Sequence, residues 1–267
     1  MGNRIGRITS AGIITEFSAG ISPASSPDEI VVGSDHNLWF SEEDGNRIAR
    51  ITTGGAVTEF SAGISPGANT VEVAAGPDGN LWFTEYAGNR VGRITTGGAV
   101  SEFSAGITPA ASPNEITAGS DGNLWFTEFT GSRIGRVSTS GTITEFSGMT
   151  ANAQPTAITA GPDGNLWFAE FNADKIGRIT TSGVITEFSA GITPGAQPAE
   201  ITPGPDGNLW FTEWGGNRIA RITPAGVVTE FSAGMSPGAN PDEITTGADG
   251  NLWFAEYSGN RIGRFQL

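Results

Sequence analysis

The sequence predicts an all-β protein, a six-bladed β-propeller with four antiparallel strands in each blade. The motif Asn-Leu-Trp-Phe occurs six times, at spacings of 42 or 43 residues, and a repeat of this length is typical of propellers and solenoids. Each repeat holds four short runs of β-branched and aromatic residues, without helical periodicity. Four antiparallel strands per repeat indicate propeller blades. The motif begins at Asn37, Asn80, Asn123, Asn165, Asn208 and Asn251.

The second repeat shows the four strands most clearly. Strand A runs over Val71–Ala75 and is followed by an Asp-Gly turn, which is a strong hairpin signal. Strand B is Asn80–Glu85, strand C is Arg90–Thr95, and a Gly-Gly turn leads into strand D, Ala99–Phe103. A longer segment rich in Gly, Ser and Pro then leads to the next strand A.

The two ends of the chain together supply the remaining blade. The N-terminal end carries a C strand (Asn3–Thr9) and a D strand (Ile13–Phe17), whereas Glu243–Phe265 carries strands A, B and C. We expect residues 1–18 to join residues 241–267 in one closing blade, with the N-terminal D strand beside the last C strand. Such closure removes the open sheet edges. The sequence thus predicts one domain over residues 1–267.

Seven C strands compete for six positions in this arrangement. Either the first or the last C strand is displaced. We expect residues 1–9 to be the displaced copy, which leaves a strand available for exchange between chains.

Opposite charges recur at fixed offsets across neighbouring strands. With two-residue turns, Glu85 lies opposite Arg90, and Arg93 lies opposite Glu102. Each such cross-strand pair contributes roughly 0.2–1 kcal/mol and fixes the register, so we interpret these carboxylates as structural and not catalytic. The same offsets give Glu42–Arg47, Glu128–Arg133, Glu170–Lys175, Glu213–Arg218 and Glu256–Arg261, and also Arg7–Glu16, Arg50–Glu59, Arg136–Glu145, Arg178–Glu187 and Arg221–Glu230.

Composition excludes several classes of function. The formal net charge of −14 disfavours nucleic-acid and anionic-membrane partners, which need clustered Lys and Arg. The chain has no cysteine, which excludes disulfides and thiolate chemistry. No apolar run approaches the length of a membrane span, and residues 1–20 contain no signal-peptide core. We expect a soluble protein, either cytoplasmic or exported.

The repeat motifs resemble those of the virginiamycin B lyase (streptogramin lyase) family of β-propellers. The residues that carry this resemblance are Gly207–Thr223, Asp174–Thr180 and the Ile-Thr-Glu-Phe strands such as Ile143–Phe146. The resemblance covers essentially the whole chain. It implies a Mg²⁺-dependent lyase with seven blades that opens streptogramin B-type cyclic depsipeptides, whereas this chain has material for six.

The resemblance also implies where the catalytic residues of the family fall. The family's histidines directly follow the proline before strand A in the last two blades, and the matching positions hold Ala199 and Asp242. A carboxylate that precedes the second of those prolines corresponds to Asn240. The single histidine, His36, lies in an Asp-His-Asn turn between strands A and B, where we expect an ordinary left-handed turn residue.

Two rings of side chains are candidates for ligand binding at the channel mouth. Aromatic residues follow the strand B glutamate in five repeats, and Glu43 takes that position in the sixth. They form either a collar for a planar or sugar-like ligand or caps over the gaps between blades. The five are Tyr86, Phe129, Phe171, Trp214 and Tyr257.

The second ring is acidic and lies at the start of strand A, the strand nearest the predicted axis. Five repeats have glutamate there and the fourth has Ala157. Oxygen ligands of this kind suit Mg²⁺ or Ca²⁺, and the alternative is a rim of solvated glutamates. The five are Glu29, Glu72, Glu115, Glu200 and Glu243.

The sequence therefore favours a non-catalytic propeller, which acts as a scaffold or binds a small molecule or protein at the channel mouth. No catalytic residue stands out, because the blades are nearly identical. The alternative is a divergent metal-dependent lyase that linearises streptogramin B-type depsipeptides with carboxylates in place of histidines. We expect a monomer, with strand exchange as the route to an oligomer.

Overall fold

The computed structural model describes residues 2–9 and 12–267. Its described residues form 25 β-strands and no helix, which confirms the all-β prediction. The fold class is the predicted six-bladed β-propeller with antiparallel four-stranded blades. Met1, Ser10 and Ala11 belong to the predicted closing segment 1–18 and lie outside the described residues.

Five sheets have four strands each, in the order A, B, C, D, and every printed neighbouring pair is antiparallel. The predicted strands of the second repeat match within one residue at each end. The sheets are β3 (Pro27–Val32), β4 (Leu38–Glu42), β5 (Arg47–Ile51), β6 (Val57–Phe60); β7 (Thr70–Ala75), β8 (Leu81–Glu85), β9 (Arg90–Ile94), β10 (Val100–Phe103); β11 (Pro113–Ala118), β12 (Leu124–Glu128), β13 (Arg133–Val137), β14 (Ile143–Phe146); β15 (Pro155–Ala160), β16 (Leu166–Glu170), β17 (Lys175–Ile179), β18 (Ile185–Phe188); β19 (Pro198–Pro203), β20 (Leu209–Glu213), β21 (Arg218–Ile222) and β22 (Val228–Phe231).

The remaining five strands form two further sheets, and the predicted closing blade of residues 1–18 with residues 241–267 stays a prediction. Strands β1 (Ile5–Ile8) and β2 (Ile14–Phe17) pair only with each other. Strands β23 (Pro241–Thr246), β24 (Leu252–Glu256) and β25 (Arg261–Phe265) form a three-stranded sheet. In the two-stranded sheet, four residue pairs join β2 to β1.

The register between strands B and C agrees with the prediction, whereas the register between C and D differs by one residue. Glu85 lies opposite Arg90, as expected. Arg93, however, lies opposite Ser101, and Glu102 lies opposite Gly92. The predicted two-residue turn is wrong: the Thr95 N–H donates to the Ala99 carbonyl oxygen at 3.0 Å, which leaves three residues in the turn. The last of them is a left-handed glycine (φ 90°), the typical geometry of a three-residue hairpin loop.

The same correction applies to the predicted pairs of the other blades. The C-strand arginine faces a threonine, and its guanidinium lies over the aromatic rings of its own blade. Arg93, for example, lies 5.6 Å from the ring centres of both Trp82 and Phe103. The pairs observed are Arg7–Thr15, Arg50–Thr58, Arg178–Thr186 and Arg221–Thr229.

The chain divides into two compact units, and the prediction of a single domain stays a prediction. Unit 1 comprises residues 1–118, 122–126 and 135–145, and unit 2 comprises residues 119–121, 127–134 and 146–267. In each unit the core lies between neighbouring sheets, where a buried tryptophan of one strand B packs against the aliphatic side chains of the next sheet. In unit 1 Trp82 packs with Ile116 and Leu124, and in unit 2 Trp167 packs with Ile201 and Leu209.

Candidate ligand-binding site

The aromatic positions lie beside the segments that enter strand A. In the sheet β19–β22, the Trp214 N–H donates to the Gln197 carbonyl oxygen at 3.1 Å. The Tyr257 N–H donates to the Asn240 carbonyl oxygen at 3.2 Å in the next sheet. The B–C turn and the D–A connection thus meet at the same end of these sheets. The same bond is made by Tyr86 to Asn69 and by Phe171 to Gln154.

Left-handed residues shape the entry into strand A. Gln197 and Asn240 have φ values of 51° and 49°, a conformation that asparagine in particular tolerates. The pairing of strands A and B shifts register directly afterwards, between Pro198 and Ile201 and between Pro241 and Ile244. This irregularity lets the residues after each proline project from the ladder at the end of the sheet.

An asparagine of the B–C turn holds this entry segment in place. The Asn217 Oδ1 accepts hydrogen bonds from the Ala239 and Asn240 N–H groups at 2.7 and 3.2 Å, and its Nδ2 donates to the Ser236 carbonyl oxygen. Sequence reasoning missed this role. The signal available was the recurrence of asparagine directly before the first basic residue of strand C, at Asn46 and Asn89 as well.

Two of the five predicted collar residues come into contact. The rings of Trp214 and Tyr257 lie 5.2 Å apart at an angle of 50°. Trp214 is half-buried, whereas Tyr257 is 60% exposed. Tyr86 in unit 1, and Phe129 and Phe171 in unit 2, are half-buried at the same repeat position. Trp214 and Tyr257 thus offer an adjoining aromatic surface in unit 2.

Polar groups lie beside this aromatic pair. The Asn240 side-chain amide donates to the Trp214 carbonyl oxygen at 3.1 Å. Two residues further on, burial raises the pKa of the Asp242 carboxyl. Ala199 occupies the corresponding position in the preceding sheet. The site therefore combines aromatic surface with the carboxyl group of Asp242 and the side-chain amide of Asn240.

The five predicted acidic residues lie on the A strands, and backbone N–H groups of two of them donate to threonine side chains of strand B. The Glu72 N–H donates to Thr84 Oγ1 at 3.1 Å, and the Glu200 N–H donates to Thr212 Oγ1 at 3.1 Å. Burial, reinforced by the Asp28 charge, raises the pKa of Glu29 to about 7. Glu115 is half-buried, and Glu243 is exposed. No three acidic or histidine side chains of the described residues converge to hold a metal ion, so the metal site stays a prediction.

A second set of glutamates is buried directly before the collar position. Glu85 at the end of β8 is fully buried, and burial raises its pKa to about 8, with the nearby Glu102 charge adding to the effect. Sequence reasoning paired each of these glutamates only with the first basic residue of strand C. The pKa values of Glu42 and Glu213 are raised to about 7 and that of Glu170 to about 8, in each case mainly by burial.

His36 lies at the other end of its sheet. It occupies the predicted turn between β3 and β4 with a φ of 60°, and its N–H donates to the Gly33 carbonyl oxygen at 3.0 Å. The six residues of β3 separate this turn from the entry segment, a length of roughly 20 Å at 3.3 Å per residue. Its imidazole is therefore remote from that end of its own sheet.

The architecture and the repeat motifs match one family of known proteins. The model of the virginiamycin B lyase family matches residues 1–189 and 62–267. The chain belongs to the virginiamycin B lyase family. This confirms the resemblance read from the repeat motifs, although no curated protein sequence gives a match.

Solved structures of the virginiamycin B lyase family superpose closely on the chain. Virginiamycin B lyase from Staphylococcus aureus has 41% sequence identity and a TM-score of 0.91, over 99% of this chain and 88% of that one. A catalytically inactive His→Ala variant of the same enzyme, solved with quinupristin, gives the same values. A streptogramin B lyase structure has 37% identity and a TM-score of 0.91, over 99% of this chain and 87% of that one.

Proposed function

We propose that this member of the virginiamycin B lyase family binds a streptogramin B-type cyclic depsipeptide without opening its ring. The site is the end of the sheets that carries Trp214 and Tyr257. The observation that carries the proposal is that this aromatic surface occurs together with Ala199 and Asp242. These two residues occupy the positions where the resemblance to the family places histidines. Binding surface is retained there, whereas the general acid and base are replaced.

A relative supports the separation of binding from catalysis. The Staphylococcus aureus variant that lacks one histidine is catalytically inactive, and its structure was solved with quinupristin. This chain has one histidine, and it lies at the A–B turn of β3 and β4. We infer that the chain resembles such a variant: it has the capacity to bind the cyclic depsipeptide but lacks the general base.

The chemistry of the site suits an apolar macrocycle with amide groups. Aromatic rings supply large contact areas at a low cost in side-chain entropy, and they stack on planar ligand groups. The Asp242 carboxyl and the Asn240 amide offer hydrogen bonds that orient the ligand. A raised pKa lets the Asp242 carboxyl donate as well as accept hydrogen bonds over a wider range of pH.

The raised pKa of Asp242 favours a second candidate function. A carboxyl whose pKa is raised above its ordinary value by burial is better suited to move protons in catalysis, and Asp242 takes the place of one expected histidine. In this alternative the chain is a divergent lyase with Asp242 as general base. The lyases it resembles depend on Mg²⁺, but the described acidic residues do not converge on one point. We therefore derive no step through a metal.

Titration of tryptophan fluorescence with quinupristin tests the proposed binding site. We expect saturable binding, weakened about tenfold or more in both Trp214→Ala and Tyr257→Ala, since about 1.4 kcal/mol of lost contact is a factor of ten. His36→Gly serves as the matched control, because it changes a turn at the other end of its sheet. Equal affinities in all four proteins would contradict the assignment of the site.

A further inference from the structure

The first basic residue of strand C bridges two glutamates in the sheets β3–β6, β7–β10 and β19–β22. In the last of these, Arg218 Nε lies 2.7 Å from Glu213 Oε2, and Arg218 Nη1 lies 3.4 Å from Glu230 Oε2. Arg47 and Arg90 make the same two contacts with the glutamates of their own B and D strands. The forked guanidinium group thus serves both carboxyl groups at once.

The sheet β15–β18 has a lysine at this position, and Lys175 is the only lysine of the chain. Its Nζ lies 2.8 Å from Glu187 Oε2 of β18 and donates a hydrogen bond to Thr150 Oγ1 at 2.5 Å. Thr150 belongs to the segment that enters strand β15. An ammonium group is a compact point charge, so Lys175 is committed to Glu187 and to this entry segment.

Glu170, at the end of β16, is a buried carboxyl group that this lysine does not pair. It is 0% exposed, and neither of its oxygens has a hydrogen-bond partner among the residues that the structure describes. An ionised carboxylate is strongly disfavoured in such a place. Burial, followed by the charge of Glu187, raises the pKa of Glu170 to about 8. Burial acts on Glu187 in the same direction, but hydrogen bonds, of which the largest comes from Lys175, lower the pKa of Glu187.

The turn before Lys175 also differs from that of the arginine-bearing sheets. A Cβ on Gly216, two residues before Arg218, would lie 2.7 Å from Glu213 Oε2 and 2.9 Å from Arg218 Nη2. Ala173 carries such a Cβ at the matching position. A guanidinium group placed as in Arg218 would therefore collide with Ala173, whereas a lysine has no Nη atoms there.

One cation faces two carboxyl groups in this cluster. The charged groups that act on Glu170 are Glu187 and Lys175, and on the other side of β16 the strand β15 places Pro155 opposite Glu170. The carboxylate of Asp174, in the turn, accepts two backbone hydrogen bonds from the segment that enters β19. Ionisation of Glu170 therefore adds a second carboxylate that competes with Glu187 for Lys175.

We propose that Lys175 is a pH-dependent switch between Glu187 and Glu170. While Glu170 holds its proton, Lys175 bonds to Glu187 and Thr150 and ties the segment that enters β15 to β17. When Glu170 loses its proton, the ammonium group turns toward the new carboxylate and releases Thr150. The arginines of the other sheets need no such movement, because they contact both glutamates simultaneously.

The switch acts on a segment that borders the predicted aromatic collar. The Gln154 carbonyl oxygen, at the end of this segment, accepts a hydrogen bond from the Phe171 N–H at 3.2 Å. The contact of Lys175 with Thr150 is present at neutral pH and is lost as pH rises through about 8, the value to which burial raises the pKa of Glu170. The segment beside Phe171 is therefore held more firmly at neutral than at alkaline pH.

The single lysine makes a direct test possible. In protein labelled with carbon-13 lysine, NMR follows the Cε resonance of Lys175 from about pH 5.5 to 9.5. We expect one step in its chemical shift, with a midpoint near pH 8. Glu170→Gln, which mimics the protonated acid, should abolish the step and keep the chemical shift seen at low pH. Glu213→Gln is the matched control in the neighbouring sheet and should leave the step unchanged.

Thr150→Val tests the other contact of the lysine. This variant removes the hydroxyl group that holds Lys175 at low pH and retains the branched shape of the side chain. Because the low-pH arrangement alone loses a partner, the midpoint should fall by about 0.5 pH unit or more.

Three outcomes would overturn the proposal. A Cε resonance without a step would show that Lys175 does not respond to Glu170. A step that persists in Glu170→Gln, or that is lost equally in Glu213→Gln, would show that Glu170 is not the group that moves the lysine. An unchanged midpoint in Thr150→Val would contradict the release of the segment that enters β15.

Discussion

Glu85 and Glu102 lie side by side around the guanidinium of Arg90. The Arg90 Nη1 is 3.4 Å from Glu85 Oε2 and 3.9 Å from Glu102 Oε2. Burial raises the pKa of Glu85 to about 8. Burial acts on Glu102 in the same direction, but hydrogen bonds from Ser65 and Glu85 outweigh it and lower the pKa of Glu102. One cation thus faces two carboxyl groups, of which one retains its proton near neutral pH.

The raised pKa values predict that stability falls as pH rises from about 5 to 9. A carboxyl with a folded-state pKa of about 8, such as Glu85, binds its proton more tightly in the folded state than in the unfolded state. Its contribution is present below the unfolded pKa near 4.5 and is lost as pH rises through the folded value. We expect Glu85→Gln to raise the melting temperature by about 2–4 °C at pH 9 and to change it little at pH 5.5. Thermal unfolding at both pH values measures this, and a stabilisation that is larger at pH 5.5 would contradict the protonated Glu85.

Gly161 lies against the tryptophan of its own sheet. A Cβ at Gly161 would lie 2.4 Å from Trp167 Cδ1, which is closer than packed atoms allow, whereas a Cβ at Gly6 would meet nothing within 4 Å. We expect Gly161→Ala to lower the free energy of unfolding by about 1–3 kcal/mol through overpacking. Gly6→Ala, the matched control in β1, should change it by less than about 0.5 kcal/mol. Urea unfolding measures the free energy of unfolding of both variants. Equal effects would contradict the prediction, because they would show that Trp167 moves away from the new Cβ without an energetic cost.

The Asp163 carboxylate organises the turn that begins strand β16. It accepts hydrogen bonds from the Trp167 indole at 3.0 Å and from the Asn165 side-chain amide at 2.7 Å. We expect Asp163→Ala to cost about 1–3 kcal/mol, because the buried indole N–H loses its partner. Asp163→Asn keeps one acceptor oxygen and should cost less. Unfolding curves that rank the two variants in the opposite order would contradict the role of Asp163 as the hydrogen-bond acceptor of this turn.

Restoring the residues expected from the family should create activity. We predict that Ala199→His combined with Asp242→His and Asn240→Glu gains measurable ring opening of quinupristin in the presence of Mg²⁺. Each single substitution should gain less, because the groups act together. Chromatography separates intact from linear ligand. If the triple variant binds quinupristin but never opens it, the absence of histidines is not what keeps this chain from acting as a lyase.

The repeat was the most informative feature of the sequence. Its period predicted the propeller and the strand positions, and the five-residue offset correctly placed Glu85 opposite Arg90. The predicted pairing of Arg93 with Glu102 was wrong, because the turn that ends at the left-handed Gly98 has three residues and not two. Two-residue and three-residue glycine turns look alike in a sequence, although they reverse which face a side chain occupies.

Side-chain contacts between residues far apart in the sequence were beyond sequence reasoning. The bond from Ser65 to Glu102 joins residues 37 positions apart, and no local pattern indicates it. The contact between Trp214 and Tyr257 likewise depends on how neighbouring sheets pack. The predicted strand closure stays a prediction. The sequence shows that β2 suits the edge of β25, but it also suits β1, and composition alone cannot rank the two partners.

Equilibrium dialysis of quinupristin against the protein with Mg²⁺, followed by chromatography of both compartments, tests the central claim most directly. The account predicts an excess of intact quinupristin on the protein side and no linear product above the protein-free background. Equal concentrations of intact ligand on both sides would contradict binding. Linear product would contradict the absence of catalysis and would identify the chain as a lyase that works without active-site histidines.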